Sequence, residues 1–325
     1  MVDAIGCFCC GTVKIAESLI FSPKTTDMHF EWKGVFPALL TPFTAHDEVD
    51  LPMFGKNLQA QLDAGIQGVI IGGSLGEAST ITVAEKEQLV KYALDYVKGK
   101  IPVILNIAES TTKDAIEQAA NAENWGADGL MLLPPMRYKS DDRETVTYFK
   151  TVARSTRLPI MIYNNPVDYK IDAHPALFDQ LLECENITAL KESSRDVTNL
   201  IRMKNRFGDR FKILCGVDTL AMEELCLEAD GLVAGLVCAF PKETMAIYNL
   251  VKAGKIAEAA LIYRWFMPLL ELDIHPKLVQ YIKLAATQTG ISNEYVRAPR
   301  LVLEGEERER VLGIIKQGIA TRPAL

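Results

Sequence analysis

The sequence predicts a closed (β/α)8 TIM barrel with a C-terminal helical extension. Three observations carry that expectation. Eight short β-rich runs alternate with amphipathic stretches from residue 35 onward, several of the runs are apolar throughout, and the strand signal stops after residue 240. Continuous apolar runs mark strands covered on both faces, as in parallel sheets flanked by helices. Eight strand–helix alternations suit a closed barrel better than an open sheet. A doubly wound sheet would also need a phosphate-binding glycine loop after its first strand, and VFPALLTPF has none.

In chain order the runs are VFPALL (35–40), GVIIGG (68–73), PVILNI (102–107), GLMLLP (129–134), PIMIYN (159–164), ITALKE (187–192), FKILCG (211–216) and GLVAGL (231–236). Between them, 51–65, 82–99 and 140–156 carry apolar residues at three- and four-residue spacing, the signature of a helix with one buried face. Gly65, Gly99 and Gly126 fall just past helical runs, where a left-handed stop belongs. Residues 242–265, 267–289 and 306–320 read as helices. The expected organisation is an N-terminal extension over 1–27, a barrel over 28–240 and a helical region over 241–325.

With 325 residues, 49% of them hydrophobic and 24% charged, the chain has ample material for a barrel core. Its net charge of −7 argues against nucleic acid or an anionic membrane surface as partner. No apolar run approaches the roughly 20 residues of a membrane span. Cys7, Cys9 and Cys10 have no partner cluster at zinc spacing, and Cys184, Cys215, Cys226 and Cys238 stand singly in apolar or helical surroundings. Structural thiols of this kind suit a reducing cytoplasm. Residues 1–27 lack a cationic start followed by an apolar core, so a secretory signal is not expected. Four histidines without HxxxH or HxH spacing offer no metal site. His174, in DAHPAL, reads as a helix-start residue.

In such a barrel, chemistry belongs at the C-terminal ends of the strands. The polar residues closing the runs are Ser74 and Glu77 after the second, Asn106, Glu109 and Ser110 after the third, Tyr163 in the fifth, Lys191 in the sixth, and Asp218 just past Gly216 after the seventh. Lys191 stands out. Ile187, Ala189 and Leu190 would hold it in low dielectric, which disfavours the ammonium and lowers its pKa. A neutral amine attacks a ketone, and the resulting Schiff base is an electron sink needing no cofactor. The plain alternative is an ion pair with Glu192 or Asp128. Tyr163, one strand away, can carry protons for imine formation and for the neighbouring bond. Gly72, Gly73 and Gly76 allow turns whose N–H groups converge on an anion, and with the Ser74 hydroxyl would cradle a substrate carboxylate. Glu77 could fix that loop or touch substrate.

Three motifs, Gly73-Ser74-Leu75-Gly76-Glu77, Tyr163-Asn164-Asn165-Pro166 and Lys191-Glu192-Ser193, stand in order on the expected strands. Together they resemble the N-acetylneuraminate lyase/dihydrodipicolinate synthase family from about residue 33 to the C-terminus. The resemblance implies a TIM barrel with a helical tail, a homotetramer, and an enzyme whose lysine forms a Schiff base with a small 2-oxo acid. Lys191 matches that lysine, Tyr163 the phenolic proton carrier, and Ser74 the hydroxyl beside the substrate carboxylate. Gly73, Leu75, Gly216 and Val233 complete the expected substrate-binding residues.

Departures from the family pattern bear on substrate. Dihydrodipicolinate synthases have two threonines in the glycine loop, where this chain has Ser74 and Leu75, and Leu75 cannot relay a proton. They place an arginine shortly after YNxP to hold a second carboxylate. Here Val167-Asp168-Tyr169 follows, and Asp168 would repel it. The helper tyrosine after the fourth strand is replaced by PPMRYKS, offering Arg137, with Tyr138 one residue out of register. The wording YNNPVDY, CGVD, YRWFMPLL and HPKLVQYIKL is most similar to members that act in hydroxyproline catabolism as 1-pyrroline-4-hydroxy-2-carboxylate deaminases. The alternatives are a retro-aldolase releasing pyruvate, a dihydrodipicolinate synthase, and a binding protein on a catalytically silent barrel.

Overall fold

The computed structural model describes residues 30–135 and 138–324, so the expected extension and Arg137 lie outside the described residues. All eight apolar runs contain strands: β1 (Gly34–Pro37), β2 (Val69–Ile71), β3 (Val103–Ile107), β4 (Gly129–Leu132), β5 (Ile160–Asn164), β6 (Ile187–Glu192), β7 (Lys212–Cys215) and β8 (Gly231–Ala234). They are parallel, each paired with its neighbours in sequence, and β8 returns to β1. An isolated Ala38–Ile70 bridge, with Leu39 N donating to Ile70 O at 2.9 Å, closes the ring between β1 and β2. The expected barrel is present.

The helices are α1 (Leu51–Ala64), α2 (Val83–Val97), α3 (Thr112–Trp125), α4 (Asp142–Arg154), α5 (Pro166–Tyr169), α6 (Pro175–Leu181), α7 (Thr198–Phe207), α8 (Ala221–Cys226), α9 (Pro241–Lys252), α10 (Ile256–Leu270), α11 (Leu278–Gln288) and α12 (Gly305–Ala320). Local chemistry sets their ends. Thr82 with Glu85, and Asp141 with Glu144, form reciprocal capping boxes at the starts of α2 and α4. Gly65 and Gly126 end α1 and α3 in the left-handed conformation, whereas Lys98, not Gly99, caps α2. His174 precedes α6 as its N-cap residue.

The tail differs from the expected three helices. The stretch 242–265 breaks into α9 and α10 because Gly254 adopts a left-handed φ of 74°. The boundary expected at residue 267 is absent: Pro268 lies inside α10, and the break comes later, over 271–277. Pro276 biases His275 out of the helical region, which ends one helix and delays the next. Helix α9 packs on β1 and α1 and so completes the eighth strand–helix unit from beyond residue 240.

Inside the ring, Phe36, Ile70, Ile104, Met131, Met161, Leu214 and Val233 form one buried cluster, floored by Trp32. The alternate strand residues, Val35, Val69, Val103, Leu130, Ile162 and Leu190 among them, join the larger core beneath the helices. One irregularity matters. Ile160 pairs with Ile187, but Met161 pairs with Ala189, so Thr188 is an extra residue in β6. Its hydroxyl accepts from Trp32 Nε1 at 2.9 Å on the interior side. Beyond it Ala189 faces inward and Leu190 outward. The phase of β6 is thereby shifted by one residue, and Lys191 falls beside Tyr163 of β5.

The tail is bolted to the barrel by charge. Lys283 of α11 donates to Glu77 at 2.5 Å and to Tyr295 O at 2.5 Å, and both side chains of the ion pair are 0% exposed. Arg297 N donates to the other carboxylate oxygen at 3.1 Å, and Glu77 itself sits at φ 59°. Burial pulls the Lys283 ammonium down to about 8 against the pull of the Glu77 carboxylate. Glu77 therefore anchors the loop after β2. Breaking a buried pair costs more than replacing it, because the survivor keeps its desolvation penalty. Lys283→Met is expected to lower stability in urea melts by about 3–5 kcal/mol, with Glu77→Gln/Lys283→Met recovering part of the loss. Equal losses in the single and double variants would contradict this account.

Candidate active site

A cavity of about 500 Å³ opens at the C-terminal ends of the strands, and Gly73, Ser74, Leu75, Tyr163, Lys191, Gly216 and Val233 all line it. The seven residues singled out from sequence thus meet in one place. The tail supplies a further wall, from Asp273 through Pro276 and at Leu278.

Lys191 is 7% exposed. Its Nζ lies 4.0 Å from the centroid of the Tyr163 ring, a cation–π arrangement when the amine is charged. Neither carboxylate considered as a plain ion-pair partner serves that purpose. Glu192 accepts from Ser194 N at 2.6 Å and Asn199 Nδ2 at 2.6 Å, and Asp128 accepts from Val103 N at 2.8 Å. Burial pulls the Lys191 ammonium below the ordinary lysine value, while the Asp218 carboxylate pulls it back.

Tyr163 is equally buried, and its hydroxyl accepts from Asn165 Nδ2 at 3.2 Å. Burial pushes the phenol up to about 12, so the hydroxyl is protonated at neutral pH. Gly216 makes the room. A β-carbon there would fall 2.7 Å from Lys191 Cε and 2.1 Å from Ser193 Oγ. The same residue donates its N–H to Glu192 O at 2.7 Å, tying β7 to β6 at the level of the lysine.

In the glycine loop, Glu77 N and Ala78 N turn back to Ser74 O and Gly73 O. Ser74 N and Leu75 N find no acceptor among the described residues, which suits an anion cradle. Ser74 Oγ lies 2.6 Å from the Tyr169 hydroxyl, and the Tyr169 ring stands edge-on to Tyr163 at 5.6 Å. Leu75, buried, gives the loop an apolar face. Other strand-end residues have structural partners. Asn106 Nδ2 donates to Gly72 O at 2.9 Å, and Glu109 takes Lys86 Nζ at 2.8 Å. Asp218 accepts from the N–H groups of Gly235 (3.1 Å) and Leu236 (2.7 Å), fixing the turn after β8. His174 pairs with Asp142 outside the cavity.

Four titratable residues of the cavity were not anticipated as site residues. Tyr169 follows YNNP by three positions, too far along to be read as a strand end. Arg195 lines the cavity at a φ of 65°, a strained position for a side-chain-bearing residue. Asp273 and His275 come from the connection between α10 and α11, a stretch that reads as helix. The proline after His275, in an otherwise helical tract, was the available signal. Tyr138, offered as a helper tyrosine, is exposed and does not line the cavity.

Similarity to known proteins extends over nearly all of this architecture. Residues 31–318 match the Dihydrodipicolinate synthetase family. A 4-hydroxy-tetrahydrodipicolinate synthase from Exiguobacterium sibiricum is 34% identical over 275 residues, covering 84% of this chain and 92% of its own. One from Kosmotoga olearia is 31% identical, covering 86% and 95%. Among solved structures, dihydrodipicolinate synthase from Aquifex aeolicus superposes with a TM-score of 0.84 at 28% identity, covering 88% of this chain and 98% of that one. A prophage protein of the dihydrodipicolinic acid synthase family from E. coli K12, solved in complex with pyruvate, gives 0.83 at 25% identity, covering 89% and 99%. With the barrel and the sequence motifs in agreement, the chain belongs to the Dihydrodipicolinate synthetase family and is an enzyme of the lysine Schiff-base lyase type.

Proposed function

We propose that the enzyme is a 1-pyrroline-4-hydroxy-2-carboxylate deaminase, converting its substrate to 2-oxoglutarate semialdehyde and ammonia. The observation that carries this reading is Asp168. Its carboxylate accepts from Asn165 Nδ2 at 2.7 Å and lines the cavity. A synthase would there need a cation for the second carboxylate of an aldehyde partner. Leu75 adds to the case, since an apolar side chain breaks the hydroxyl relay a synthase uses. A substrate with one carboxylate and a hydroxyl fits both departures.

In the proposed reaction the neutral Lys191 amine attacks C2 of the cyclic imine, and the C2–N bond of the ring breaks as the Lys191 iminium forms, leaving the nitrogen as an amine on C5. The substrate carboxylate sits against Ser74 and the free N–H groups of its loop. Tyr163 carries the protons of imine formation, and loss of a proton from C3 leaves an enamine. The enamine expels the 4-hydroxyl to leave C3=C4, and proton shifts carry that double bond to C5=N. Two waters then hydrolyse the C5 imine and the Lys191 iminium to give ammonia, the semialdehyde and the free lysine. A retro-aldolase yielding pyruvate is the second reading, favoured by the pyruvate-bound E. coli relative.

Incubation with the pyrroline and borohydride should add substrate mass to Lys191, and omission of reductant should release ammonia and semialdehyde. A pyruvate adduct with the pyrroline inert would instead favour the aldolase or the synthase. Lys191→Ala should reduce turnover below about 1% with the fold intact by circular dichroism, because an obligatory nucleophile is worth several orders of magnitude.

Two further outcomes follow from the geometry. Only the unprotonated amine attacks, so the rate of adduct trapping should rise with pH and level off below 10.5, the ordinary lysine value, since burial lowers Lys191. A plateau at or above that value would remove desolvation from the scheme. Gly216→Ala should slow adduct formation by about 100-fold, because displacing a reacting group by about 1 Å costs that much. It should also lower stability by about 1–3 kcal/mol from overpacking, with circular dichroism showing the fold retained.

A further inference from the structure

Two carboxyl groups flank the backbone of Gly235, in very different surroundings. On one side Asp218 is held by two backbone N–H donors, from Gly235 and Leu236, as suits an ionised carboxylate. On the other, Asp273 lies in the space a side chain at 235 would fill, with Oδ1 2.2 Å from that β-carbon position. Asp273 has no hydrogen-bond donor or ion-pair partner among the described residues, and it lines the Lys191 cavity. Of two acids that meet at one residue, the one held by N–H donors is the better stabilised anion, and its charge raises the pKa of the other. Asp218 is thus the better-held anion of the two, and Asp273 the one that favours its proton. Burial and the Asp218 charge both push the Asp273 carboxyl far above the usual carboxylate range. The other charged groups acting on it are Lys191, Asp168 and Arg195, and its near neighbour His275 shares the cavity wall. A pair of acids split in this way by their environment is a familiar source of a neutral proton donor.

We propose that Asp273 is a catalytic acid, donating its proton to the hydroxyl that leaves from C4 of the Lys191-bound substrate. The assignment rests on the elimination chemistry proposed above. When C3 loses its proton, the C–H electron pair becomes the enamine double bond between C2 and C3. That pair then moves to form C3=C4 as the iminium is restored. The C4–O bond breaks toward oxygen, and the oxygen takes the Asp273 proton and departs as water. Asp273 recovers a proton equivalent to the one lost from C3. Hydroxide is a poor leaving group, so a donor at this point is worth about 10²–10⁴ in rate. Asp273 also sits on the tail rather than on a strand, so this step is furnished by a different part of the chain from the electron sink.

Asp273→Asn in the full-length enzyme tests the assignment with two substrates, the 4-hydroxy pyrroline and its 4-fluoro analogue, whose leaving group needs far less help from an acid. Ammonia release from the hydroxy substrate should fall about 10²–10⁴-fold. Fluoride release should fall less than about ten-fold, and the borohydride-trapped Lys191 adduct should form at its normal rate. Equal losses on both substrates would mean that Asp273 only shapes the cavity, and would overturn the proposal. So would hydroxy turnover within about threefold of wild type, far short of the loss expected of a general acid. A lost adduct would likewise count against it, by assigning Asp273 to the amine instead. If the wild-type enzyme forms an adduct with pyruvate but neither binds nor deaminates the pyrroline, the deaminase reading itself falls, and this assignment with it.

Discussion

The site depends on which way one strand residue points. A lysine ammonium at the top of a packed barrel is unfavourable unless the side chain is short of alternatives, and β6 supplies that constraint through its extra residue, Thr188. Side chains alternate along a strand, so a shift of one residue exchanges inside for outside. Without the shift, Leu190 would face the interior and Lys191 the helices. With it, Lys191 stands on the inner apolar layer of Met161, Ala189 and Leu214, beside Tyr163. Its desolvation, on which the proposed nucleophilic role rests, is a consequence of packing below the site. The bond from Trp32 to Thr188 at the floor of the barrel contributes to the chemistry at the top.

The surrounding glycines make sense on the same terms. Gly216 leaves the volume through which the Lys191 stem passes, and Gly235 leaves the volume in which the Asp273 carboxyl rests. At neither position is the backbone in the left-handed region, so what glycine provides there is space rather than conformational freedom. The tail enters at two points. Lys283 locks the loop that carries Ser74, and the segment from Asp273 to Pro276 completes the cavity wall. One irregular connection between two helices thereby joins the stability of the tail to the composition of the site.

Much of this was legible in the sequence, for identifiable reasons. The eight strands are continuous apolar runs, a signal that local composition carries without reference to partners. Lys191 and Tyr163 were legible because a polar residue closing such a run has few structural uses. The tail helices were less so, since hydropathy continues smoothly through Gly254 and on toward Pro276, and only backbone conformation marks the breaks. Asp273 was hidden for the same reason. The contact of Ser74 with Tyr169 joins residues 95 positions apart, and the β6 irregularity lies in pairing rather than in composition. No local pattern encodes either.

Charge placement at the cavity mouth bears on how one scaffold serves different substrates. In the proposed mechanism the electron sink needs only a desolvated amine and a proton carrier, and the residues assigned to both rest on strands β5 and β6. What distinguishes one reaction from another is what receives the electrons released through that sink. In this chain the charged or titratable groups beyond the lysine include Asp168 on the short helix α5, Arg195 on a loop, and Asp273 and His275 on the tail. A second carboxylate approaching there would meet the Asp168 carboxylate, with the Arg195 guanidinium opposing it across the cavity wall. A hydroxyl approaching the same place meets an acid able to protonate it. On the reading proposed here, the barrel determines that an enamine forms, and the loops and tail determine that it eliminates water rather than adding to an aldehyde.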